Sequence, residues 1–253
     1  MIIFISVTRD NMKPIDIFIT AYQRPGYTFR TLQYLFERTT YPHRIFLIDN
    51  GGNEGFEGSK LIDHYIKLSG NFGLSPAWNV ALALAESEYF ITSDNDIYVP
   101  DLKPDWLTQL VTFMDERLDY GAISLHPHVF IGAAGIDPND LEDVKERNMC
   151  GGVMRLMRRD AVWKAGGWER DIKIGRGSEE RTICSRLQSN GYKVGICSRI
   201  RAFHPFGSDI EGNLGWGYSD LTPEQQGHNP QLKDEVLRFD NPDAYDPLTW
   251  LPL

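Results

Sequence analysis

The sequence has 253 residues and a formal net charge of −9, with 26 basic and 35 acidic residues. A composition of 42% hydrophobic and 24% charged residues is typical of a globular protein and excludes disordered and collagen-like chains. The acidic balance argues against sequence-independent binding of nucleic acid, and no apolar run is long enough to predict a membrane-spanning segment. The three cysteines form no CxxC pair, which predicts reduced thiols and a cytoplasmic location.

Apolar strands alternate with amphipathic helices along most of the chain. In chain order, the predicted elements are strand 15–22, helix 27–38, strand 44–49, helix 60–68, helix 77–85, strand 88–93, helix 104–116, strand 121–125, strand 150–156, helix 160–165, helix 178–189 and strand 193–197. Ser75 is predicted to cap the helix that follows it, with Pro76 in the first turn. The alternation predicts an α/β fold, a single Rossmann-like domain with a mostly parallel central sheet and helices on both faces.

Charge is distributed unevenly toward the C-terminus. Residues 155–201 contain twelve basic and five acidic residues, whereas residues 209–253 contain nine acidic residues, two basic residues and five prolines. We expect the basic block either to be a solvated surface or to face an anion. The sequence therefore predicts an N-terminal extension at 1–14, one domain at 15–207, and an acidic, proline-rich segment at 208–253 that packs on or near the functional site.

Polar and acidic residues follow three of the predicted strands. The first strand ends in Thr20–Tyr22, the second in Asp49-Asn50 and the third in Asp94–Asp96. In sheets of this kind ligands bind beyond the carboxyl ends of the strands, so these groups are expected at one ligand-binding edge. Two carboxylates two residues apart suit a hard divalent cation that keeps several waters and also binds a diphosphate. Asp49 alone is equally typical of a turn.

Seven short motifs follow one another over about residues 15–207. They are Thr20–Pro25, Leu47–Gly52, the Asn71/Gly73/Ala77/Asn79 spacing, Asp94–Asp96, the Gly151-Gly152/Arg158-Arg159/Gly166–Glu169 series, Gly177–Glu180, and Gly191–Val194 with His204. In this order and spacing they resemble the motifs of family 2-type glycosyltransferases with the GT-A fold. Two positions depart from that pattern, since Gln23 stands where the family has Asn and Glu180 where it has Asp.

The resemblance implies an enzyme that moves a sugar from a nucleoside-diphosphate sugar, expected to be UDP-linked, to a hydroxyl acceptor with inversion. The cofactor it implies is Mn²⁺ or Mg²⁺, held by Asp96 and His204 at the donor phosphates. The acceptor is expected to be a glycan, a lipid-linked sugar or a protein, contacted by Trp168 and Glu179. The residues expected to contact the donor are Thr20, Ala21, Tyr22, Arg24, Asp49, Asn71, Asp94 and Asn95.

Helical geometry distinguishes the two glutamates of the predicted helix 178–189. At about 100° per residue, Glu180 falls on the apolar face with Ile183 and Leu187, whereas Glu179 lies at the margin of that face. A carboxylate turned inward is costly unless it pairs with a base or lines a cleft. We therefore expect Glu180 either to pair with a base such as Arg176 or Arg201, or to line a cleft and act as the general base of the transfer.

Other interpretations are weaker or remain open. A haloacid-type phosphotransferase is disfavoured because Tyr98 stands four residues after Asp94, where that class needs Thr or Val. A sugar-nucleotide-forming nucleotidyltransferase is disfavoured because Gln23–Gly26 is too poor in glycine for its phosphate-binding loop. A nucleotide-sugar or glycan-binding module without catalysis is the alternative function. His204 is also compatible with a structural histidine, and Tyr22 and Trp168 with core aromatics.

Overall fold

A computed structural model describes residues 13–52, 54–128, 143–169 and 178–204 of the chain. The predicted acidic segment 208–253 lies outside these residues, as does nearly all of the predicted extension 1–14. Within the described ranges, no helix is both long and apolar enough to cross a membrane.

The described residues form one mixed sheet with helices packed against it. The strands β1 to β8 are Ile15–Ala21, His43–Asp49, His64–Lys67, Tyr89–Asp94, Tyr120–His128, Lys145–Arg147, Arg155–Arg158 and Lys193–Phe203. The helices α1 to α5 are Pro25–Arg38, Leu74–Leu84, Trp106–Glu116, Arg159–Lys164 and Ser178–Ser189. The predicted fold class, an α/β domain built on one central sheet, is confirmed.

Strand directions decide where a ligand can bind. The eight strands lie in the order β3-β2-β1-β4-β7-β5-β8-β6. The β1–β2, β1–β4, β2–β3 and β5–β8 pairs are parallel, and β7 runs antiparallel to both of its neighbours, β4 and β5. Because β7 reverses direction between β4 and β5, the strands β1, β2, β4, β5 and β8 all point the same way. Their carboxyl ends therefore meet at one edge of the sheet, which we call the ligand edge.

Alternation along the buried strands divides the core into two layers. On one face, Ile17 and Ile19 of β1 pack in a cluster with Leu35 of α1 and Leu107 of α3. On the other face, Phe18 packs in a cluster with residues of α2, α4 and α5, namely Trp78, Ala81, Val162, Ile183 and Leu187. Successive side chains of a strand point to opposite faces, so a strand buried on both faces reads as the continuous apolar run seen in β1.

One predicted element is wrong in type. The predicted helix 60–68 contains the strand β3, which pairs in parallel with β2 from the Phe46/His64 pair to the Asp49/Lys67 pair. The Asp63 carboxylate also accepts the backbone N–H of Ile45 at 2.7 Å. Pairing with the exposed edge of β2 satisfies backbone groups that a helix would leave unmatched, and this tertiary gain overrides local periodicity.

Other predictions differ from the structure at their boundaries. Helix α2 begins at Leu74 after Gly73, whose φ of 82° suits glycine, and no side chain caps it, so the predicted Ser75 cap is wrong. The predicted strand 150–156 is extended only from Arg155 onward, while β8 continues from Lys193 to Phe203, well past its predicted end. That extension carries the chain to the ligand edge.

Candidate active site

The acidic loop Asp94–Asp96 begins at the last residue of β4, at the ligand edge. Its central residue is structural: the Asn95 amide donates to the Thr28 hydroxyl at 2.8 Å, and the Thr31 hydroxyl donates to the Asn95 carbonyl at 2.8 Å. Both partners lie on α1. Asn95 therefore fixes the loop against this helix, and its predicted contact with a donor remains a prediction.

His204 meets the acidic loop because β8 is long. Tyr98 and Phe203 exchange two backbone hydrogen bonds of 2.8 and 2.9 Å, which tie the end of β8 to the chain just after the loop. The next residue, His204, then places its Nε2 atom 3.3 Å from Oδ1 of Asp96. The two residues predicted to hold a metal thus lie side by side, although they come from distant parts of the sequence.

Arg24 contacts the other oxygen of the same carboxylate. Its Nη1 atom lies 2.9 Å from Oδ2 of Asp96. The backbone that delivers it is strained, since Gln23 and Arg24 have φ values of 49° and 122°, in a region that residues with a side chain rarely adopt. Strained backbone of this kind concentrates at ligand-binding and catalytic sites.

Burial and neighbouring charges shift the pKa values of the two aspartates of the loop in opposite directions. Burial, reinforced by the charges of Asp96 and Glu180, raises the pKa of Asp94 to about 7. Burial would also raise the pKa of Asp96, but His204 and Arg24 together lower it below its usual value. The two carboxylates therefore stand close enough to repel one another, and Asp96 keeps its charge through its cationic neighbours.

Because Gly152 has no side chain, its backbone can approach the acidic loop Asp94–Asp96 closely. A Cβ added to Gly152 would lie 3.1 Å from Oδ2 of Asp94 and 3.4 Å from a ring carbon of Trp78, whereas one added to Gly151 would meet nothing within 4 Å. The Asp94 backbone N–H also donates to the Gly152 carbonyl at 3.1 Å. Gly152 thus forms one wall of the site around Asp94.

Both glutamates of α5 are largely withdrawn from solvent. Glu179 is 8% exposed, which is more buried than Glu180, the reverse of the ranking expected from helical geometry. The buried apolar face at Ile183 and Leu187 agrees with that geometry. Glu180 nevertheless directs an oxygen inward: its Oε2 atom is buried and has no hydrogen-bond partner among the described residues. Burial raises the pKa of Glu180, and nearby Arg155 opposes that rise.

Asp49 organises the turn that follows β2. Its fully buried carboxylate accepts hydrogen bonds from the backbone N–H groups of Gly52 at 2.8 Å and Glu54 at 3.0 Å. The Tyr65 hydroxyl donates to the same carboxylate at 2.5 Å. These contacts are those of a turn former, and the predicted hydrogen bond from a nucleotide base to Asp49 remains a prediction.

The remaining residues predicted to contact a donor surround this turn. Asn71 accepts from the Asn50 amide at 3.1 Å and from the Gly73 backbone N–H at 2.9 Å, which links the β2 turn to the start of α2. Tyr22 is 40% exposed at the end of β1, whereas Thr20 and Ala21 are buried. Of this group, Tyr22 and Asn71 are exposed, so a ligand can reach both side chains without rearrangement.

Trp168, predicted to contact an acceptor, is buried in the core. Its ring is 1% exposed and packs against Trp78 with centroids 5.7 Å apart. Its backbone N–H and carbonyl both bond to the Asn79 side chain at 3.0 Å. The side chain therefore supports α2, and a direct contact with an acceptor remains a prediction.

Sequence reasoning missed Arg155. This arginine of β7 is fully buried, with its guanidinium carbon 4.5 Å from the Trp78 ring centroid and 5.5 Å from that of Trp168. The signal is a basic residue directly beside the apolar pair Leu156-Met157, in a position where a charge is costly unless the fold uses it.

The donor set suits a divalent cation only in part. Asp96 and His204 offer an oxygen and a nitrogen, both acceptable to Mn²⁺. In the part of the chain that the structure describes, no three His, Cys, Asp or Glu side chains are grouped as a metal site. Cations of this class commonly bind to one or two protein groups and take their other ligands from substrate phosphates and water, so the pair fits that mode.

Comparison with known families gives one match. The sequence profile of glycosyl transferase family 2 matches residues 16–166, more than half of the chain. No curated protein matches the sequence.

Similar solved structures share the fold. GalNAc-T7 with UDP, GalNAc and Mn²⁺ is 15% identical with a TM-score of 0.61, over 77% of this chain and 44% of that one. The mannosyltransferase PcManGT from Pyrobaculum calidifontis, with GDP-Man and Mn²⁺, is 15% identical with a TM-score of 0.61, over 78% of this chain and 58% of that one. S. aureus TarS 1–349 with UDP-GlcNAc is 16% identical with a TM-score of 0.60, over 90% of this chain and 73% of that one.

Proposed function

The chain belongs to glycosyl transferase family 2, and from this premise we propose that it is a metal-dependent glycosyltransferase. It transfers a sugar from a nucleoside-diphosphate sugar to a hydroxyl of a glycan, a lipid-linked sugar or a protein. The observation that carries the proposal is the meeting of Asp96, His204 and Arg24 at the ligand edge, with Glu180 close enough to raise the pKa of Asp94. The chain spans 44% and 58% of two of the similar structures, so its substrates are proposed separately.

The proposed donor is UDP-linked. Two of the similar structures are named as complexes with UDP or UDP-GlcNAc, and a third is named as a complex with GDP-Man. The exposed ring of Tyr22, beside the Asp49 turn, offers a surface on which a base can stack. Asp49, whose carboxylate orders this turn, is the proposed acceptor for an N–H of the base.

The proposed cofactor is Mn²⁺ or Mg²⁺, held by Asp96 and His204. When bound, the metal neutralises charge that accumulates on the departing diphosphate. In the chain itself, Arg24 places positive charge against Asp96, and Asp94 lies beside it at the cost of repulsion. A cation at this position relieves that repulsion, which supports the assignment.

The proposed general base is Glu180. In a transfer with inversion, a carboxylate on the acceptor side must take the hydroxyl proton over about 2.6–3.2 Å. The buried Oε2 atom of Glu180 makes no hydrogen bond within the described residues, so it can accept one from an acceptor. Burial also raises the pKa of Glu180, which makes it a stronger base than an exposed glutamate.

Calorimetric titration with UDP tests the metal and donor proposals. We expect UDP to bind more tightly with Mn²⁺ than without it, and Asp96→Ala to abolish that difference. The exposed Asp101, near the same loop, gives the matched control: Asp101→Ala should behave like the wild type. Equal UDP affinity with and without Mn²⁺ in the wild type would overturn the metal assignment.

Turnover separates an enzyme from a binding module. A panel of sugar nucleotides that includes UDP-GlcNAc and GDP-mannose should reveal Mn²⁺-dependent hydrolysis or transfer. Loss of a positioned base typically costs about 10²–10⁴ in rate, so we expect that loss in Glu180→Gln with UDP binding intact. Glu179→Gln, a change of equal size one residue away, should act more mildly. UDP binding without any turnover would instead indicate a module without catalysis.

A further inference from the structure

Arg155 is a buried cation held mainly by neutral groups. Its Nη2 atom donates to the Thr92 hydroxyl at 3.2 Å and its Nη1 atom to the Cys150 carbonyl at 3.4 Å, while Nε has no hydrogen-bond partner within the described residues. The rings of Trp78 and Trp168 pack near the guanidinium. Removing an arginine this completely from water is expensive, so its charge must be balanced nearby.

The charge that balances Arg155 is acidic and lies at the ligand edge. Arg155 acts electrostatically on both Glu180 and Asp94, and it is the cation that most lowers the pKa of Glu180. Neither Arg155 nor Glu180 forms a contact ion pair among the described residues. The Cys150 carbonyl accepts from Nη1 of Arg155 at 3.4 Å and from the Cys184 thiol at 3.7 Å, and Cys184 lies one turn after Glu180 on α5. The guanidinium and this end of α5 therefore meet at one carbonyl, yet Oε2 of Glu180 carries no guanidinium hydrogen bond.

We infer that Arg155 is a positioning residue that keeps Glu180 ionised inside the protein while leaving its inward oxygen able to accept a proton. The inference rests on the proposed function, in which Glu180 is the base. A direct salt bridge would stabilise the carboxylate but occupy its oxygen with a donor. A cation at a short distance, fixed by Thr92 and the two tryptophans, stabilises the charge without that competition.

Several groups face Glu180 besides Arg155. Glu179 on its own helix raises the pKa of Glu180, and Arg155 on β7 lowers it. The neighbouring groups that Glu180 itself influences are Asp94 at the end of β4 and the thiols of Cys150 and Cys184. Without Arg155, burial and Glu179 disfavour the charged form of Glu180 and only its own backbone hydrogen bond favours that form, so its protonation should move to higher pH.

A double-mutant cycle tests the coupling without any need for turnover. Urea unfolding at pH 8 is measured for the wild type, Arg155→Met, Glu180→Gln and the double variant. We expect Arg155→Met to lower the folded-to-unfolded ratio about tenfold more in the wild-type background than in Glu180→Gln, where the charge of Glu180 is absent and only Asp94 remains for Arg155 to balance. Equal losses in both backgrounds would mean that Arg155 only packs beside the tryptophans, and would overturn the inference.

The pH profile of turnover supplies a second readout. With the sugar nucleotide that is turned over fastest in the presence of Mn²⁺, the acidic limb of kcat/KM should move to higher pH in Arg155→Met. The loss relative to the wild type should be about tenfold greater at pH 6 than at pH 9. Arg158→Met, on the same strand but paired with Glu88 away from the site, is the matched control and should keep the wild-type profile.

Conservative variants keep the test decisive. Arg155→Lys restores a cation and should return the acidic limb toward that of the wild type, whereas Arg155→Gln keeps a hydrogen-bond donor without charge and should behave like Arg155→Met. If Arg155→Met does not fold, these two variants give the same comparison. Wild-type turnover in Glu180→Gln would remove the base assignment itself. Loss of turnover in Glu180→Gln together with unshifted profiles at Arg155 would overturn only the role of Arg155.

Discussion

The Asp49 carboxylate offers the sharpest test of how the ligand edge is built. It is fully buried, and the donors that converge on it include the backbone N–H groups of Gly52 and Glu54 and the hydroxyl of Tyr65. Asp49→Ala removes the common acceptor and leaves two backbone donors in a buried turn. The same change would be nearly neutral to folding if Asp49 served only to bind a nucleotide base.

The size of the effect follows from these contacts. A hydrogen bond to a charged group contributes about 1.5–3 kcal/mol, and a buried donor left without an acceptor costs about 1–3 kcal/mol. Because the three bonds share one carboxylate, they are not additive, and we expect Asp49→Ala to lower the free energy of unfolding by about 3–5 kcal/mol. Tyr65→Phe removes one donor and its bond together, so about 1 kcal/mol is expected there.

Urea denaturation followed by tryptophan fluorescence measures both variants against the wild type, without ligand and at one pH. The expected order of stability is wild type, then Tyr65→Phe, then Asp49→Ala. If Asp49→Ala unfolds within about 1 kcal/mol of the wild type, the reasoning is refuted, because the turn would not depend on the carboxylate. A fall in UDP affinity without that destabilisation would instead favour a dedicated base contact.

Two further predictions concern packing and pH. Gly152→Ala should weaken Mn²⁺-dependent UDP binding, because its Cβ would lie 3.1 Å from a carboxylate oxygen of Asp94. Gly151→Ala is the control, since its Cβ would meet no atom within 4 Å. Equal losses of UDP affinity in the two variants, measured by calorimetry, would contradict this prediction. Burial, followed by the charge of Arg201, lowers the pKa of His126 from 6.5 to about 4. The unfolded chain then binds more protons between these values, so stability should fall by up to about 3 kcal/mol as pH drops from 6.5 to 4. His126→Leu should flatten that slope in urea titrations, and an unchanged slope would exclude His126 as its source.

The long buried strands could be predicted from the sequence because burial on both faces produces a continuous apolar run, as in β1. The short edge strands could not. Strand β3 has four residues and β6 has three, and neither has a fully buried side chain, so no apolar pattern marks them. Their backbone pairing with β2 and β8 comes from tertiary structure, which a local pattern does not record.

Some residues of the candidate site could also be predicted from the sequence, and others could not. The motif resemblance identified Asp96 and His204, and the structure places them 3.3 Å apart. It did not indicate that Asn95 would be tied to α1, or that Arg155 would be buried beside two tryptophans, because both depend on contacts between distant segments. The metal-binding chemistry of the loop was therefore predictable from residue type and order, whereas the roles of Asn95 and Arg155 became visible only in the folded structure.

Arg24 was predicted from its motif to contact the donor, and the structure shows that it contacts the carboxylate proposed to bind the metal. Its guanidinium is 2.9 Å from Oδ2 of Asp96, so a metal that binds this carboxylate must compete with it, while a bound diphosphate would be attracted to the same positive charge. Arg24 is partly exposed, and a pair of this kind contributes about 0.2–1 kcal/mol. We therefore expect Arg24→Met to bind Mn²⁺ alone up to about fivefold more tightly, yet to bind UDP more weakly when Mn²⁺ is saturating. Calorimetry with Mn²⁺ alone and then with UDP separates the two effects, and Arg30→Met on the next turn of α1 is the control. Weaker binding of Mn²⁺ alone would show that Arg24 supports the metal-binding carboxylate, and would refute the competition.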